Sequence, residues 1–200
     1  MSNRLLYHKI LPRGEFRVFS QKPDFALVRA KQIHSTGIAV YDGAPLDERE
    51  VDGVAFAFSD LSEGGVGVAV ITADCMPIIF LSKDRGVFLH AGWRGLAGGI
   101  LSNPLAQKIN PHYAFIGPSI GLESYEVKND FKQRFPQEEF YHEIDGKTCF
   151  DLQGKAVHDI CLAYPGIQVE LADEDTFSLR KYHSWRRDKT AERNWNIFSL

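Results

Sequence analysis

At 200 residues, with 44% hydrophobic and 12% aromatic side chains, the chain can fill a sizeable globular core, and a single domain over residues 1–200 is the expectation. A formal net charge of −3 makes a nucleic-acid backbone a poor partner, although the short cluster Arg180 to Arg187 is basic enough to hold a small anion. No window approaches the apolar length of a membrane span, the run from Met1 to Lys9 is too short in apolar residues for a signal peptide, and Cys75, Cys149 and Cys161 are too few and irregular for a disulfide framework. These features point to a soluble cytoplasmic protein, taken as a monomer by default.

Strand signals crowd the first half. Phe25 to Arg29 is short and apolar, and Gly37 to Tyr41 ends at the turn pair Asp42-Gly43. Gly53 to Ser59 follows, and Gly65 to Thr72 is a nearly unbroken apolar run, the signature of a strand covered on both faces. Pro77 to Leu81 and Gly86 to His90 are separated by Lys83-Asp84-Arg85, which suits a hairpin. A helix is expected from Gly95 to Ile109, broken or begun near Pro104. Tyr113 to Gly117 reads as a strand. Val127, Phe131 and Phe135 are four apart and predict a helix face. A further helix starts after Asp151, a candidate N-cap, and stops before Pro165-Gly166, and Ile167 to Leu171 closes the series as a strand. The pattern predicts an α+β layered domain.

Three residues could carry chemistry. Cys75 lies in Ile71-Thr-Ala-Asp-Cys-Met-Pro77 and His90 in Leu89-His-Ala-Gly-Trp-Arg-Gly95, each where an apolar run meets a turn; His34 lies upstream in Lys31-Gln-Ile-His-Ser-Thr36. Taken singly, each has an ordinary structural reading: a buried small thiol, a capping histidine, a surface histidine. Taken together, two imidazoles and a thiol match a catalytic zinc site with one open position, or a nucleophile and its base. Arg94 beside Trp93 reads equally well as a stacked surface pair.

The blocks that carry these residues, in this order, resemble the laccase-domain family, also called multicopper polyphenol oxidases. They are Lys31 to His34, Val51-Asp-Gly-Val54, Thr72 to Pro77, His90 to Gly95, Ile116 to Gly121 leading to Tyr125-Glu-Val127, and Tyr182-His-Ser-Trp-Arg-Arg-Asp188. The resemblance covers roughly residues 25 to 200. It implies two packed mixed β-sheets flanked by helices, related to toxins that use a Cys-His pair as a hydrolase. It also implies metal ligands at His34, Cys75 and His90. Members are described as purine nucleoside phosphorylases with adenosine deaminase activity, and one bacterial branch as a peptidoglycan editing factor. The chain departs from the pattern in its short segment before residue 25, in Gly121-Leu-Glu-Ser124 where members often carry two thiols, and in Thr190-Ala-Glu-Arg193, which lacks the family's glycine.

The leading expectation is a zinc-dependent purine nucleoside enzyme, with copper as the other metal that imidazole and thiolate suit. Its substrates would be a purine nucleoside and phosphate. His34, Cys75 and His90 would hold the ion, Asp74 would shuttle a proton, and Arg94 with Arg186 or Arg187 would clamp phosphate. The alternatives are a metal-free Cys75-His90 amidase, a copper phenol oxidase, for which one thiol and two histidines are too few ligands, and a structural metal module with four ligands.

Overall fold

The computed structural model describes residues 4–200; Met1 to Asn3, where the N-terminal run begins, lie outside the described residues. Among the described residues, thirteen strands form two mixed sheets and a hairpin. The first sheet has the order β1 (Leu5–Ile10), β2 (Glu15–Phe19), β13 (Asn194–Ser199), β6 (Gly67–Thr72) and β3 (Leu27–Val28). The second runs β12 (Gln168–Leu171), β9 (Tyr113–Ile116), β7 (Met76–Leu81), β8 (Arg85–Ala91), β5 (Gly53–Ala57) and β4 (Ile38–Tyr41). Strands β10 (Tyr141–Ile144) and β11 (Lys147–Phe150) pair separately.

The six-stranded sheet is the middle layer, which explains its unbroken apolar strands. Alternate residues of β7 point to opposite sides. Ile79 and Leu81 join Phe88, Phe115 and Val54 against Phe16, Val18, Val68 and Phe198 of the five-stranded sheet. Ile78 and Phe80 face the other way, toward α2 (Trp93–Ala97), α3 (Pro104–Lys108) and α4 (Leu152–Ala163), packing with Leu96, Ala106, Leu152 and Ile160. The two packed sheets flanked by helices are the expected α+β layering.

Helix α4 starts where expected: the Asp151 carboxylate accepts from Gly154 N–H at 2.7 Å as its N-cap. The long helix expected from Gly95 to Ile109 is instead three pieces, two short α-helices and a 3₁₀ turn at Ile100–Ser102. Gly99 at φ 84 interrupts the first, and Asn103 followed by Pro104 restarts the last. The face of Val127, Phe131 and Phe135 is also not an α-helix. Val127 N–H donates to Thr148 O, and only a 3₁₀ segment forms at Asn129–Gln133 before Pro136. Its aromatic spacing still packs one side, with Phe131 and Phe135 against Phe150. The run from Gly53 ends as a strand at Ala57 and turns into α1 (Phe58–Gly64), and the strand expected at Phe25–Arg29 is two residues long.

Phe16 bridges the layers edge-on to Phe88 and Phe115 at 5.9 and 5.1 Å. Phe16→Ala is expected to cost about 3–5 kcal/mol in urea unfolding; a loss below about 1 kcal/mol would contradict this packing of sheet on sheet.

Candidate metal centre

The three candidate ligands converge. Cys75 sits in the turn between β6 and β7, and His90 lies near the end of β8, paired with Pro77 across the β7–β8 ladder. His34 comes from the loop between β3 and β4 with φ 61. One ligand atom from each lies within 4.8 Å of the others, and Cys75 Sγ is 3.9 Å from His34 Nε2. His90 is buried, Cys75 half-buried and His34 exposed, so the site opens on one side.

Two details of local sequence make the approach possible. Gln32 pairs with β6 like a strand residue: its amide donates to Ile71 O and accepts from Ile71 N–H, both at 2.8 Å, which anchors the His34 loop. Gly92 leaves room for the ligands, since a Cβ there would sit 2.8 Å from Cys75 Sγ and 3.3 Å from His34 Cδ2.

Burial pushes the Cys75 thiol up, but His90 and His34 beside it overcome that and bring it down to about 6. Burial likewise lowers His90, yet the Cys75 thiolate and the Asp52 carboxylate raise it to about 9. Without metal the pair is therefore thiolate and imidazolium between about pH 6 and 9. The depressed thiol loses its contribution to stability as pH falls through about 6, and the raised imidazole loses its own as pH rises through about 9.

Asp52 is a site residue that sequence reasoning left without a role. Its buried carboxylate accepts from His90 Nδ1 at 2.8 Å. The available signal was its place in Val51-Asp-Gly-Val54, a carboxylate entering a buried strand.

The ligands open into a cavity of about 710 Å³ lined by Trp93, Tyr125 and Trp185 and by the cations Arg94, Arg186, Lys189 and Arg193. Arg94 lies over the Trp93 ring at 4.2 Å and Arg186 over Tyr125 at 5.1 Å. Asp74 is the one carboxylate in the lining; its Oδ1 accepts from Thr176 Oγ1 at 2.9 Å and its Oδ2 from Arg186 N–H at 2.6 Å. Arg187 does not reach the lining. Its guanidinium donates to the carbonyls of Thr176, Phe177 and Tyr182 and to Asp188. Lys189 and Arg193, which sequence reasoning did not assign, are there instead.

An α+β protein with a His-Cys-His centre at a cationic, aromatic cavity is what fold and site define. The chain belongs to the family described as multi-copper polyphenol oxidoreductase laccase, whose model matches residues 15–199. It is 39% identical over 133 residues to a purine nucleoside phosphorylase of Aquifex aeolicus, covering 64% of this chain and 63% of that protein, a little under two thirds of its length. It is 31% identical over 128 residues to adenosine deaminase RL5 of an unknown prokaryotic organism, covering 57% of this chain and 48% of that one. A Neisseria meningitidis protein of solved structure shares the fold with a TM-score of 0.73 and 29% identity, over 88% of this chain and 75% of that chain. Among the described residues, the His34–Cys75–His90 cluster is the one group spaced to hold a metal. No helix among the described residues is long and apolar enough to cross a membrane.

Two outcomes check this geometry. Alkylation of Cys75 in metal-free protein, followed by peptide mass mapping, should rise with an apparent pKa of about 6; a rise centred near an ordinary thiol value of about 8.5 would contradict the charged pair. Gly92→Ala should lower metal occupancy while leaving the unfolding midpoint close to that of the wild type, and full occupancy would show that the ligands need no such close approach.

Proposed function

We propose that this chain is a zinc-dependent purine nucleoside enzyme, acting by phosphorolysis on nucleosides such as adenosine, inosine or methylthioadenosine and by deamination on adenosine. The observation that carries the reading is the conjunction of an open three-ligand cluster with aromatic faces and cations in one cavity. The names of the relatives support it. His34, Cys75 and His90 would hold the ion, and two imidazoles with a thiolate suit zinc. Copper suits the same donors. Bound zinc would supply Lewis acidity and bring a water at the site into the range where it ionises near neutral pH.

The remaining steps belong to this chain's own side chains. A purine ring is a flat π-system, and Trp93, Tyr125 and Trp185 offer faces for it to stack on. Phosphorolysis needs an anion brought to the anomeric carbon while the base departs. Arg94 and Arg186 are the clamp in this reading, because guanidinium forks match phosphate oxygens. None of the four cavity cations is in an ion pair with a carboxylate among the described residues, so their charge is available to an anionic ligand. Deamination needs a proton carried from the attacking water to the departing amine; in this reading Asp74, a carboxylate of the lining, would carry it.

We take residues 1–200 as one catalytic unit, working as a monomer, since all three ligands come from one chain. Three free cysteines accord with a reducing cytoplasmic setting.

A second reading rests on the same thiol. The Cys75 thiolate, the His90 imidazolium and the Asp52 carboxylate would make a nucleophile, general acid and orienting group, which suits an amidase acting on an amide such as a peptidoglycan precursor. The two readings part in one experiment. Incubated with adenosine, the zinc-loaded protein should release adenine only with phosphate present, and inosine with or without it. Both products should vanish in His34→Ala and in Cys75→Ala. Full activity in Cys75→Ala would sink the zinc reading. No product under either condition, with amide hydrolysis that survives chelators, would favour the amidase.

A further inference from the structure

Asp52 is saturated with hydrogen bonds. Its Oδ1 accepts from His34 N–H at 2.9 Å and His90 Nδ1–H at 2.8 Å. Its Oδ2 accepts from Ile33 N–H at 3.2 Å, Ser35 N–H at 2.5 Å and the Ser35 hydroxyl at 2.8 Å. A carboxylate offers about four lone-pair sites, so these donors saturate it.

What those donors share is the geometry of two ligands. His34 sits in the left-handed region at φ 61, where few non-glycine residues are stable. The turn that puts it there aims three successive N–H groups, from Ile33, His34 and Ser35, at one carboxylate, which is the compensation such a conformation needs. On the other side, a proton held on His90 Nδ1 leaves Nε2 as the ring nitrogen open to a metal.

The carboxylate itself is fixed by the main chain. Asp52 O accepts from His90 N–H at 2.7 Å, and Asp52 N–H donates to Gly37 O at 3.0 Å. The next residue, Gly53, pairs with Leu89 so closely that a Cβ would lie 2.6 Å from the Leu89 side chain. Sheet register therefore delivers one buried charge to both histidines.

We infer that Asp52 is a positioning residue that presets both histidine ligands before the metal arrives, His34 through its backbone turn and His90 through its ring tautomer. This rests on the metal reading proposed above.

The test is titration of metal-free protein with zinc against a chromophoric chelator, together with long-range ¹H–¹⁵N correlation of the His90 ring in metal-free samples above about pH 9, where the ring is no longer an imidazolium. Wild type should take one zinc per chain and show the Nδ1-protonated ring. Asp52→Asn should bind zinc ten- to a hundredfold more weakly and lose that single protonation pattern. A variant that merely lowered stability would leave the ring pattern of its folded fraction unchanged. Ser35→Ala, which removes one contact to Oδ2 and leaves the His90 bond, should weaken zinc several-fold with the ring pattern intact. Wild-type zinc affinity and an unaltered ring in Asp52→Asn would overturn the inference. Should Asp52→Asn not fold, unaltered zinc affinity in Ser35→Ala would overturn it. Wild type taking no zinc would remove the metal reading, and the ring pattern of Asp52→Asn would still decide whether Asp52 sets the tautomer.

Discussion

Strand β8 lies between β5 and β7, and its register on both sides is the constraint on which the site depends. Pairing with β7 puts His90 opposite Pro77, beside the turn that carries Cys75. Pairing with β5 puts Leu89 opposite Gly53, and with it Asp52 beside His90. Side chains alternate along a strand, so a slip by one residue would turn His90 to the other face and scatter the cluster. The buried layers on both sides of this sheet make such a slip costly. Phe88 would leave the core between the sheets, and Val87 and Leu89 the core beneath the helices.

Loops complete what the strands begin. His34 belongs to a short irregular segment, yet Gln32 ties that segment to β6 and Asp52 ties it to β5. At the other rim, Asp74 ties the turn carrying Cys75 to Thr176 and to the backbone of Arg186 at α5 (Trp185–Asp188). The open cavity is thus framed by loops that are hydrogen-bonded to rigid strands. That arrangement lets ligands stay in place while the entrance stays exposed to solvent.

Much of this was legible in the sequence, for identifiable reasons. Strands β6, β7 and β8 announce themselves because both of their faces are covered, and the hairpin at Lys83 to Arg85 announces their pairing. Strand β13 escaped notice because Asn194 and Asn196 interrupt its apolar pattern. They are buried, and the amide nitrogen of Asn196 donates to Val70 O and Thr72 Oγ1, partners far away in sequence. Strands β1 and β2 were hidden by charged residues such as Lys9, Glu15 and Arg17, which their one-sided burial permits. The ligands were visible as residues that end apolar runs, but the role of Asp52 was not, since its donors lie on two other segments. Arg186 and Arg187 are neighbours with different roles. Only the placement of α5 decides that Arg186 lines the cavity while Arg187 is folded back onto carbonyls.

The central claim is that this cluster is a single-ion centre built by one thiolate and two imidazoles. Metal K-edge X-ray absorption on the purified protein addresses it most directly. The account predicts one zinc per chain, with one sulfur at about 2.3 Å and two imidazole nitrogens at about 2.0 Å. Several coppers per chain, or zinc without a sulfur neighbour, would contradict it.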